Sequence, residues 1–160
     1  MYKRQGQERK KGFLDGLNGV RKNVKVVEVS TTWDQTMAQN GVETALRSNP
    51  AVKVIACAWD GGALGAKAAM MAAGKKAGSI MIAGFDGSPG GLDMMKQGWQ
   101  QANAAQMLAK IGQVGVETAI AAAAGKKVEA RIDTGSFLVV PANVDKFAKD
   151  SGVAQFMKVK

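Results

Sequence analysis

Apolar residues return along this chain in two alternating rhythms, one helical and one made of short β-branched runs. Phe13, Leu17 and Val20 stand at i, i+4 and i+7 and predict one face of a helix over residues 8–22. Residues 24–29, Val-Lys-Val-Val-Glu-Val, predict a strand. Thr32 with Gln35 three positions on has the form of a capping box. It would open a second helix with Ala38, Val42, Ala45 and Leu46 on one face, ended by Asn49 and Pro50. Residues 52–58 form a nearly continuous apolar run, as expected of a strand buried on both faces.

The alternation continues. Asp60 is placed to cap a third helix that ends at Gly74. Residues 80–83 predict a short buried strand, which feeds the turn 86–91 and a short helix to about residue 98. Residues 101–106 predict a brief extended segment, 107–124 a long helix stopped by Gly125, and 128–133 and 136–140 two extended pieces. A terminal turn or helix is expected near 143–147. Strands separated by helices of about a dozen residues predict parallel βαβ units, hence an α/β doubly wound parallel sheet. Ligands in such sheets sit at the carboxyl ends of the strands. That points to residues 31–34, 59–62 and 85–88.

Composition narrows the function classes. Apolar residues make up 46% and charged residues 22%, an ordinary balance for a globular chain. No run approaches the roughly 18 apolar residues of a membrane span. The formal charge is +9, but the cations fall in ones and twos, at Lys10-Lys11, Arg21-Lys22, Lys75-Lys76 and Lys126-Lys127. No basic run is interleaved with aromatics, so no nucleic-acid partner is expected. Histidine is absent, which removes the commonest general base and metal ligand and excludes Ser-His and Cys-His triads. The single cysteine, Cys57, lies in an apolar run and reads as a small buried side chain. No enzyme activity, metal or cofactor is implied. Residues 1–5 are charged, show no secretory signal and fit nothing that follows, so they are expected to be a non-native leader.

The rim residues supply the candidate chemistry. Trp33, Trp59 and Asp86 fall at strand ends and Arg9 opens the first helix. Indole faces can stack on the C–H faces of a pyranose, while carboxylate, guanidinium and amide groups bond its hydroxyls. Asp60 reads first as a helix cap and second as a ligand contact. Residues 60–65, Asp-Gly-Gly-Ala-Leu-Gly, follow a strand and open a helix, as a dinucleotide fingerprint does. The first glycine of that pattern is Asp60, whose carboxylate would repel a pyrophosphate.

The ordered set of motifs resembles the periplasmic sugar-binding proteins of the ribose/galactose type. The resemblance is carried by Arg-Lys-Lys-Gly-Phe at 9–13, Asn-Pro at 49–50, Ala-Trp-Asp-Gly-Gly-Ala-Leu-Gly-Ala at 58–66, Ala-Gly-Lys at 73–75, Gly-Phe-Asp-Gly at 84–87 and Ala-Asn-Ala-Ala-Gln at 102–106. Ile-Gly at 111–112 and Gly-Lys at 125–126 keep the same order. It covers roughly residues 6–145 and implies two α/β lobes that close on a sugar or polyol. A membrane ABC permease as partner, a periplasmic location and a monomeric full-length form are implied with it. Arg9, Trp33, Asp86 and Gln106 match sugar-contacting positions of the family, whereas Trp59-Asp60 stands where the ribose-type pattern has Asn-Asp. That exchange implies a sugar or polyol other than ribose.

By the same resemblance, residues 6–106 correspond to the second lobe without its first strand. Residues 107–133 correspond to a segment returning to the first lobe, and 134–160 to a hinge crossing and tail. A long apolar sheet edge, low stability and weak or no sugar binding are then expected of the chain. The sugar-effector domain of a lactose-repressor-type transcription regulator is the alternative that shares this fold.

Overall fold

The computed structural model describes residues 2–159; Met1 and Lys160, the outermost residues of the expected leader and tail, lie outside that range. In chain order the elements are α1 (Tyr2–Val20), α2 (Gln35–Ser48), β1 (Val54–Ala56), α3 (Asp60–Ala72), β2 (Met81–Asp86) and α4 (Pro89–Lys96). They continue with β3 (Ala102–Gln106), α5 (Leu108–Ala123), β4 (Ser136–Val139), α6 (Val144–Asp150) and a 3-10 turn, Val153–Phe156. The strands form one sheet in the order β1-β2-β3-β4, with the first three parallel and β4 antiparallel to β3.

Two apolar clusters hold this body together. Ala63, Ala66, Ala69 and Met70 of α3 close against Ile80, Ile82 and Val42. Leu92 and Met95 of α4 close against Ala105, Val139, Phe147 and Ala148. The alanine stripe on α3 lets α2 approach until a Cβ added at Gly65 would lie 2.6 Å from the Gln35 carbonyl oxygen. Small residues are needed there because backbone meets backbone. Phe85 projects to the opposite face of the sheet from Gly84, and the Arg9 guanidinium lies 3.8 Å from its ring centre. α1 therefore meets the face of the sheet opposite α3 through the Arg9 side chain.

Several expected elements come out differently. Residues 24–29 form no strand; Val24, Val26 and Val27 stay 41–45% exposed. β-branched residues favour extended backbone, but a strand also needs a hydrogen-bonded neighbour, and among the described residues β1 is an edge strand with no partner on the side away from β2. The segment is pinned instead by the Lys10–Glu28 ion pair and by Val29, whose methyl would touch a Cβ added at Gly41. For the same reason the run at 52–58 is not buried on both faces: only 54–56 ladder, and Val54 is 45% exposed.

The capping box is not formed either. Thr32 takes φ 46°, and Asp34 caps α2 by accepting from the Met37 N–H at 2.7 Å. The Phe13–Val20 face of α1 buries little, with Val20 86% exposed. Residues 128–133 form no strand. α1 starts at Tyr2, so residues 2–5 continue the first helix, and Arg4 pairs with Glu8 one turn on.

Candidate functional site

The carboxyl ends of the strands gather the rim residues into a cavity of about 410 Å3 lined by Gln5, Arg9, Thr32, Trp33, Trp59 and Asp86. A hollow of about 460 Å3 lies between residues 27–29 and α2. It is away from the strand ends, and Glu28 is its one charged lining residue.

Asp86 ends β2, where its backbone turns to φ 111°. Its Oδ1 accepts from Arg9 Nη1 at 3.3 Å and from Gln106 Nε2 at 2.8 Å. Arg9 also donates to the Ala58 carbonyl at 2.7 Å, and its guanidinium lies between the Phe85 ring and the more distant Trp33 ring, 5.6 Å from the latter's centre. Stacking and hydrogen bonding thus fix the plane of the guanidinium.

Trp33 has φ 64°, a left-handed conformation that bulky residues adopt at a cost of about 1–3 kcal/mol. The strain places its indole edge-on to Trp59 with ring centres 5.2 Å apart. Trp59 in turn folds back over the first turn of α3. A Cβ added at Gly61 or Gly62 would lie 2.5 or 2.6 Å from its ring. The paired glycines therefore make room for an indole rather than for a phosphate.

Asp60 is neither a helix cap nor a lining residue. Trp59 holds the cap position of α3, with no side-chain cap bond. The Asp60 carboxylate is 2% exposed and lies beneath the rim. It accepts from the Ser88 N–H at 2.8 Å, the Ser88 hydroxyl at 2.7 Å and Asn103 Nδ2 at 2.6 Å. Burial, with lesser help from Asp86, pushes its pKa above the usual carboxylate range despite these donors. Burial raises Asp86 as well, against the opposing pull of Arg9 and Gln106. The Cys57 thiol is pushed up to about 12, by burial first and Asp60 second, and stays protonated and inert at neutral pH.

The structure brings Arg9, Trp33, Trp59 and Asp86 to one cavity, and Gln106 adjoins it through Asp86. Thr32 and Phe85 fall within the rim ranges 31–34 and 85–88 without being named as ligand residues, and Gln5 lies in the segment read as a leader. Phe85 carried a signal, since it precedes the candidate aspartate on a strand and so must face away from the α3 side. Among the described residues, no group of three or more His, Cys, Asp or Glu is placed to hold a metal ion. None of the described helices is long and apolar enough to cross a membrane.

Known proteins share both sequence and architecture with this chain. Residues 3–127 match the family described as periplasmic binding protein domain. The ribose import binding protein of Salmonella typhimurium is 34% identical over 134 residues, covering 84% of this chain and 44% of that protein. The D-allose-binding periplasmic protein of Escherichia coli is 31% identical over 123 residues, covering 77% and 39% respectively. The chain thus spans less than half the length of these relatives. An ABC transporter solute binding protein from Agrobacterium vitis, bound with alpha-D-tagatopyranose, superposes with a TM-score of 0.79 at 25% identity. That match covers 97% of this chain and half of the other. A second solute binding protein from Agrobacterium vitis, with bound D-fucose, gives a TM-score of 0.79 at 29% identity over 89% of this chain and 48% of its own. With both sequence and fold in agreement, the chain belongs to the periplasmic binding protein domain family.

Proposed function

We propose that this chain carries one wall of a sugar or polyol site in a solute receptor that serves an ABC importer. The observation that carries the reading is the convergence of two indoles with the Arg9–Asp86–Gln106 group on one cavity at the strand ends. Indole faces take the apolar face of a sugar ring, and Asp86 and Arg9 bond its hydroxyls with charge assistance. Relatives named for ribose and allose binding, and neighbours with bound sugars, support the same ligand class.

Trp59 gives the cavity an apolar corner, which favours a ligand with a C–H or deoxy edge on that side. The function is binding without chemistry and without a cofactor. Ligand favours a closed form of a two-lobed receptor because only there do both lobes touch it. The closed, monomeric receptor then docks on a membrane permease from the periplasm, with no nucleic-acid partner. Nothing in these findings favours the transcription-regulator alternative.

The test is a thermal-shift and tryptophan-fluorescence screen of pentoses, hexoses and polyols, carried to concentrations far above micromolar. A response to one sugar, reduced at least about tenfold in affinity by Asp86→Ala and by Arg9→Met, is expected. No response to any sugar or polyol, with a shift caused instead by a nucleotide or by operator-like DNA, would overturn the reading.

A further inference from the structure

Beneath the rim lies a buried polar cluster whose residues do not line the cavity. Asp60, Gln100 and Asn103 are 2%, 0% and 0% exposed. Asn103 Nδ2 donates to Asp60 Oδ1 at 2.6 Å, and Asn103 Oδ1 accepts from the Gly87 N–H at 2.9 Å. Asp60 Oδ2 accepts from both the N–H and the hydroxyl of Ser88. With its amide oriented to satisfy both ends, Gln100 donates to the Gly91 carbonyl at 2.6 Å and accepts from Asn103 Nδ2 and the Gly84 N–H, each at 3.0 Å.

The space is shaped for a carboxylate. A Cβ at Gly91 would lie 2.3 Å from Asp60 Oδ2, and one at Gly84 would lie 2.7 Å from Asp60 Oδ1. The cost of burying an acidic group is repaid only through its hydrogen bonds. Three of the five bonds made by Asp60 and Asn103 land on Gly87 and Ser88, the two residues that follow Asp86. Asp86 itself takes φ 111°, a conformation that a non-glycine residue keeps only when its surroundings over-determine it.

The geometry points to Asp60 and Asn103 as positioning residues of the site: they clamp the Gly87–Ser88 backbone and so hold the Asp86 carboxylate between Arg9 and Gln106, ready for a hydroxyl. The claim rests on the sugar-binding reading only for what Asp86 is held ready to do. A sugar that bonds Asp86 then meets an acceptor already ordered, and the entropy of ordering the turn is met in folding rather than in binding.

The experiment compares Asp60→Asn with Asp93→Asn on the chain. Asp93 is also a buried aspartate, 7% exposed, but its bonds go to the Lys158 and Val159 N–H groups of the tail. Side-chain 1H–15N spectra report Arg9 and Gln106 directly and need no sugar. They are recorded well below the unfolding temperature of each variant. Asp60→Asn is expected to shift or broaden the Arg9 and Gln106 side-chain signals, and Asp93→Asn to leave them in place. The milder Ser88→Ala, which removes one bond to Asp60, is expected to move the same signals less. It also serves as the informative variant if Asp60→Asn does not fold.

For a sugar that the wild type binds, Asp60→Asn should weaken affinity by roughly tenfold or more, and Asp93→Asn by less than about twofold. Unmoved Arg9 and Gln106 signals in the folded variants, with a lower unfolding temperature alone, would show Asp60 to be part of the core and nothing else. Moved signals in a chain that responds to no sugar or polyol but to a nucleotide or operator-like DNA would keep the clamp and remove the function proposed above.

Discussion

The body built from α3, β2, α4, β3, β4 and α6 and the periphery formed by α1, residues 21–33 and α5 hold their positions by different means. In the body Met70, Ile82 and Leu92 are fully buried. Each such side chain contributes about 1.5–3 kcal/mol over its exposed state. In the periphery α5 buries no residue, and α1 is held by Arg9 and surface ion pairs. The site is assembled across this divide. Asp86, Gln106 and Trp59 come from the body, Arg9 and Trp33 from the periphery. The contrast teaches that the acceptor end of the site is fixed by packing, whereas the cation and one indole are fixed by a few polar and stacking contacts.

The comparison breaks most visibly in the cores. Met70→Ala or Ile82→Ala should cost about 2–5 kcal/mol, since each leaves a cavity among side chains that cannot collapse. Val20→Ala on α1 should change stability by less than about 0.5 kcal/mol. Urea unfolding midpoints at constant slope make the test, and equal losses would mean that α1 packs as the body does.

A smaller contrast uses glycine. Gly65→Ala forces a methyl against the Gln35 carbonyl of α2 and should cost about 1–3 kcal/mol. A Cβ at Gly12 meets nothing within 4 Å, so Gly12→Ala should stabilise by about 0.5–1 kcal/mol through helix propensity alone. Thermal melts of the two variants are expected to move in opposite directions.

The smallest effect concerns pH. Burial raises Asp86 above its ordinary 3.8, so the folded chain holds that proton more tightly than the unfolded one. The resulting contribution is fully present below the ordinary value and is lost as pH rises through the folded value. The melting temperature of the wild type relative to Asp86→Asn should therefore rise as pH falls from 7 to about 4. A difference that stays flat, or that shrinks on acidification, would mean that Arg9 outweighs burial at this site.

Much of the architecture was legible because burial leaves a periodic trace. The alternating pattern predicted α2, α3, α5 and the parallel direction of β1 to β3, but not their order in the sheet. It also placed Trp59 and Asp86 near strand ends, where open sheets hold their ligands, whereas Trp33 was put there by a strand that does not form. Residues 24–29 misled for a physical reason: their β-branched side chains encode extended backbone, but a ladder depends on a partner strand that local sequence cannot supply. Asp60 misled differently. An aspartate at the start of a helix has the same local form whether it caps that helix or bonds a turn 28 residues away.

The sequence by itself determined the alternation of most elements, the absence of histidine chemistry and the candidacy of Arg9, Trp33, Trp59 and Asp86, because each depends on residue identity and short-range spacing. Only the tertiary structure decided that Arg9 stacks on Phe85, that Gly61 and Gly62 make room for Trp59, and that Asp60 with Asn103 clamps the turn carrying Asp86. Those contacts join residues distant in the chain or depend on side-chain rotamers. They exist only once the sheet has set the distances between its strand ends.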